Sequence, residues 1–117
     1  MKNKQYTRRQ ALSMIPLLEG ITVEIADRQT RVLGIESMIQ ALRPTAHVHK
    51  EDIQSHQAEL ASQRMELRRA GKELDRLGCS LALTDPLEVF IPGEDENFGW
   101  RPGETFLRQA AIEPFAA

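Results

Sequence analysis

The sequence predicts a mainly α protein: a long antiparallel, coiled-coil-like helical hairpin with a small C-terminal β-hairpin. One run of seam positions, Ala11, Met14, Leu18, Ile21, Ile25, Arg28, Val32, Ile35, Ile39 and Leu42, alternates steps of three and four with one charge in it. A second run sets Ile53, Leu60, Leu67 and Leu74 seven apart, with His56, Gln63, Ala70 and Leu77 three residues after each. Such spacing gathers one residue set on one face of a helix. Beyond Gly78 the texture changes to short apolar and aromatic runs punctuated by Pro-Gly, which reads as strands and turns.

The first helix is predicted over about 8–43. Thr7-x-x-Gln10 reads as a capping box at its start. Pro16 removes one helical hydrogen bond. Either the helix kinks there, or a short helix ends near Met14 and a new one opens with Pro16 in its first turn. Pro44 disfavours helical geometry at Arg43 and closes the element. The second helix is predicted over about 48–77. Glu51 and Asp52 suit its N-terminal dipole, Lys72 and Arg76 its C-terminal dipole, and Gly78 the left-handed position after its end. The short connection between the helices makes them antiparallel neighbours.

The β appendage is predicted over about 80–108. Strands at 87–91 and 97–101 flank an acidic turn, Glu94-Asp95-Glu96, with a third strand near 104–108. An isolated hairpin is marginal in water, so it must lie on the helices or pair with another chain. Residues 109–117 are expected to form a frayed tail.

The chain of 117 residues is read as a single domain, 1–117. Its net charge of -2, from 17 acids and 15 bases, gives no general attraction to nucleic acid or an anionic membrane. No stretch approaches the roughly 20 apolar residues of a membrane span. Aromatics are 5% of the residues, so the core must be mostly aliphatic. A helical hairpin buries one stripe per helix and gains much by pairing with a second copy. The expectation is a homodimer whose four long helices form a bundle. Cys79 is the only cysteine, which rules out an internal disulfide and a cysteine-rich zinc site. A reduced, cytoplasmic setting fits. Thr7-Arg8-Arg9 resembles a twin-arginine signal, but the following segment keeps the heptad register, which a cleaved leader would not.

Chemistry-bearing residues are few. His49, Asp52 and His56, with His47 nearby, cluster where the second helix begins and are candidate metal ligands. The plainer reading has His47 solvated and the other two histidines in the seam. Arg28 and Gln63 interrupt the seams; the readings are an arginine whose stem packs while its head snorkels out, a polar layer that sets alignment or dimerisation, or an anion hook for a ligand. Glu24, Arg31 and Glu66 are the charges expected within reach of Arg28. Arg64, Arg68, Arg69, Lys72 and Arg76 form a basic run, read as a solvated, salt-bridged face because acids are interleaved. Trp100-Arg101-Pro102-Gly103-Glu104 centres on a Pro-Gly turn. Trp100, Arg101 and Glu104 either line a shallow binding surface or anchor and brace the appendage. There is no nucleophile–base pair, no phosphate-cradling glycine loop and no cofactor motif.

The opening Tyr6-Thr7-x-x-Gln10-Ala11-x-x-x-Ile15-Pro16-x-Leu18 and the turn Trp100-Arg101-x-Gly103-Glu104 together resemble the bacterial domain-of-unknown-function family 2203. Glu73-Leu74-Asp75-Arg76-Leu77-Gly78 is similar to the end of that family's second helix. The resemblance covers residues from about 5 to 108. Gln10 stands in place of the family's usual acid, the linker after Gly78 is compressed, and Phe106-Leu107-Arg108 replaces a strand that often bears a histidine. The resemblance implies two long helices with a closing strand pair in a bacterial cytoplasmic protein, and it implies no activity. The functional expectation is therefore a non-catalytic interaction or scaffold protein acting as a helical homodimer, with Arg28, Gln63, Trp100, Arg101 and Glu104 as its possible interaction surface. The alternative is a small-ligand or metal-binding regulator.

Overall fold

Capping fixes where the first helix begins. Thr7 is extended, its Oγ1 accepts the Gln10 N–H at 3.2 Å, and its own N–H donates to Gln10 Oε1 at 2.9 Å. Both bonds of the box therefore form, and α1 runs Arg8–Ser13. The computed structural model describes residues 4–84 and 86–110; it is mainly helical, with a small four-stranded antiparallel sheet.

Pro16 divides the helix expected over 8–43. The Met14 N–H turns back to Ala11 O at 3.1 Å, and α2 (Ile15–Leu42) opens with Pro16 as its second residue. There the missing N–H has no intrahelical acceptor to lose, which is why the second of the two expected outcomes prevails. Beyond Leu42, Arg43–Thr45 forms one 3-10 turn around Pro44. The next helix starts two residues later than the predicted 48. The Val48 and His49 N–H groups are held by Thr45 O at 3.0 and 3.2 Å, and only His49 O accepts the first helical bond, from Ile53. α3 is Lys50–Arg76. Gly78, at φ +78, ends it with the Cys79 N–H on Leu74 O at 3.0 Å and the Gly78 N–H on Asp75 O at 2.9 Å, the paired bonds of a Schellman cap.

The sheet is a meander of β1 (Ser80–Ala82), β2 (Glu88–Ile91), β3 (Phe98–Trp100) and β4 (Arg108–Gln109). It is larger than the expected hairpin, because β1 pairs with β2. The third strand forms later than 104–108: Arg101–Glu104 closes as a turn, with the Glu104 N–H on Arg101 O at 3.0 Å, so pairing resumes at Arg108. Gln109, expected in the tail, lies in β4, and the Ala110 N–H donates to Asn97 O. The remaining tail, residues 111–117, lies outside the described residues. Tyr6 forms a parallel bridge to Gly93, donating to Pro92 O at 2.9 Å and accepting from the Glu94 N–H at 3.1 Å.

The chain divides into two compact units, one of the described residues up to Val23 and from Gly71 on, the other of Glu24–Ala70. In the first, the pairs Val89–Trp100 and Ile91–Phe98 put four apolar side chains on one face of the sheet, all buried. Glu88, Phe90, Gly99 and Arg108 alternate onto the other face. Leu18, Thr22 and Leu74 are also fully buried in this unit. In the second unit, Ile35, Ile39 and Leu60 form the core, with Val32 packed against it. Every seam position of both predicted runs is buried or half-buried. No helix among the described residues is long and apolar enough to cross a membrane.

Candidate functional site

The polar interruptions of the two seams meet. Arg28 Nη1 donates to Gln63 Oε1 at 2.9 Å, and Arg28 Nη2 lies 3.5 Å from Glu24 Oε1, one turn back on α2. Gln63 is 8% exposed, and Arg28 Nε is buried without a partner. Two of the expected neighbours are engaged elsewhere: Glu66 pairs with Arg69 at 3.3 Å and Arg31 with Asp27 at 3.3 Å.

Trp100 has no exposed surface, so its place among the interaction residues is corrected: it is core. Its indole Nε1 donates to Glu104 O at 2.9 Å, which satisfies the one polar group that burial would otherwise strand. Gly103 takes φ +92, the conformation that the Pro-Gly turn required. Glu104 Oε1 accepts from the Arg101 N–H at 2.8 Å and from Arg108 Nη2 at 3.1 Å. Arg108 Nη1 reaches Glu88 Oε2 at 2.6 Å, and Arg101 Nη2 lies 3.5 Å from Glu88 Oε1. Partial burial alone would raise the Glu104 carboxyl, but the Arg108 and Arg101 hydrogen bonds and charges outweigh it and hold the carboxyl below its ordinary value. Desolvation would likewise lower Arg108; Glu88 and Glu104 reverse this and raise it. The turn is thus a self-neutralising brace.

At the start of α3, His49 Nδ1 comes within 3.6 Å of Asp52 Oδ2. His56 is half-buried in the seam and His47 is exposed. Among the described residues no group of three or more His, Cys, Asp or Glu side chains is placed to hold a metal ion. In the basic run, Arg64 is bound to Glu36 at 2.6 Å and Arg69 to Glu66. Burial pushes the Cys79 thiol up to about 12, so it is not a thiolate at neutral pH.

The outer face of α2 was not singled out from the sequence. Ala26, Thr30, Leu33 and Ser37 follow at steps of four, three and four, and all are exposed, as are Gly34, Met38 and Ala41 beside them. Leu33 is 65% exposed and Met38 49%. A surface helix ordinarily turns charge outward. α3 does so, with twelve charged residues in its 27, whereas the 28 residues of α2 hold six. That charge count was the available signal.

No protein-family profile, curated protein or solved structure matches the chain.

Proposed function

We propose that the protein is a non-catalytic interaction or scaffold protein that acts as a homodimer, its long helices forming an antiparallel, coiled-coil-like hairpin that pairs with a second copy. The observation that carries this reading is the uncharged outer face of α2, Ala26 to Ala41, which its own chain leaves exposed. A helix that buries one face in its own chain and leaves a second, uncharged face exposed gains from a partner on each. The antiparallel arrangement is supported by the order of contacts: Arg28 meets Gln63, whereas Ile35 and Ile39, further along α2, meet Leu60, which lies earlier in α3. The lone, unpaired cysteine fits a reduced, cytoplasmic setting, and the bacterial source follows from the family resemblance. The kinship with family 2203 is part of the proposal and rests on the order of the motifs quoted above.

Size-exclusion chromatography with light scattering at micromolar concentration tests it. The expected mass is twice that of the 13.3 kDa chain, and a folded monomer at every concentration overturns the reading.

A further inference from the structure

We propose that the second copy docks on the outer face of α2 in antiparallel orientation, with the two-fold axis level with Gln29. This rests on the assembly reading above and adds the orientation and the register. The 26, 30, 33, 37 spacing is a heptad stripe in its own right, distinct from the seam that faces the chain's own core. Gly34 lies beside it, and a Cβ built there meets nothing within 4 Å, so packing among the described residues does not explain the glycine. Glycine inside a helix is unfavourable relative to alanine, and it permits another backbone to approach closely.

Charge selects the occupant and the orientation. Asp27 and Arg31 flank the stripe, paired with each other at 3.3 Å and more than half exposed, so both are free to reach a partner. Under an antiparallel two-fold at residue 29, Asp27 of one copy comes level with Arg31 of the other, and the reverse pair forms by symmetry. Glu24 then comes level with Gly34, so no like charges meet. A parallel pair would set Asp27 against Asp27 and Arg31 against Arg31. The face is complementary to itself in one orientation only.

Two cysteine variants and one charge series test this, with native Cys79 retained because it is buried. Near the axis, Thr30→Cys should oxidise to a disulfide-linked dimer. Ser37→Cys should not, because the two copies of residue 37 would lie about 24 Å apart along the helices at 1.5 Å per residue. Asp27→Arg and Arg31→Asp should each weaken dimerisation several-fold in sedimentation velocity, and the double variant should recover it. A disulfide at Ser37→Cys overturns the antiparallel orientation. A dimer that forms neither disulfide and ignores the charge series overturns this orientation and register while the homodimer itself stands. A monomeric wild-type chain overturns both.

Discussion

Glu88 and Arg108 meet at 2.6 Å across the strand between them, and the residue beneath their contact is Gly99. β2 and β4 are not neighbours, so their outward side chains touch only because β3 presents no side chain there. A Cβ at Gly99 would come within 2.7 Å of Glu88 Oε2. The obstructing atom is the end of a flexible side chain, so Gly99→Ala is expected to displace Glu88 rather than the backbone and to cost about 1 kcal/mol, the scale of a partly exposed charged hydrogen bond. Gly93→Ala should cost more, because its Cβ would collide with the Glu96 backbone carbonyl. Gly71→Ala, in open space within α3, should stabilise by about 0.5–1 kcal/mol. Urea unfolding of the three variants checks the order; a Gly99→Ala protein as damaged as Gly93→Ala would mean that the strand, not the ion pair, needs the glycine.

Burial separates residues that the heptad treats alike. Leu74 is 2% exposed and Leu67 only half-buried, though both hold the same seam position. Leu74→Ala is expected to cost about 2–5 kcal/mol and Leu67→Ala clearly less. Trp100→Ala removes a fully buried indole and leaves Glu104 O without its donor, for a loss of about 3–5 kcal/mol. Thermal unfolding ranks the three, and equal losses at Leu67 and Leu74 would contradict this reading of the packing.

These contrasts show what the sequence made legible. The seams were readable because a period of 3.5 names the inward face without knowledge of the partner element, and all their positions are shielded. The capping box, Gly78 and Gly103 were readable because each is a local rule that involves a few neighbouring residues. β1 was not, because Ser80-Leu81-Ala82 becomes a strand only through its register with Glu88–Phe90. Trp100 was ambiguous for a similar reason. An indole suits a core and an interface equally, and only the pairing of β2 with β3 turns it inward. The outer face of α2 was not legible because the stronger periodicity on the same helix marks the opposite side.

The Arg28–Gln63 layer is expected to set alignment rather than add stability. Gln63→Leu leaves a half-buried guanidinium without its acceptor at 2.9 Å and should destabilise by about 1–3 kcal/mol. Arg28→Met with Gln63→Leu removes both polar groups and should recover most of that loss, since replacing a buried polar pair by apolar side chains is often neutral or better. A double-mutant cycle by chemical denaturation measures it. Additive losses would show that Arg28 and Gln63 act independently despite their contact.

Glu104 gives the sheet an acid-sensitive brace. Its folded carboxyl lies below the ordinary value of 4.5, so the unfolded chain takes up a proton there first as pH falls. The stabilisation is therefore fully present above about pH 4.5 and is lost as pH drops through the lower folded value. Arg108 remains protonated throughout and contributes no slope in this window. Glu104→Gln keeps an acceptor for the Arg101 N–H but cannot ionise, so its stability should depend less on pH below 4.5 than that of the wild type. Denaturation midpoints for the two proteins should thus converge as pH falls and separate at neutrality. Parallel pH curves for the two proteins would remove Glu104 as the group responsible.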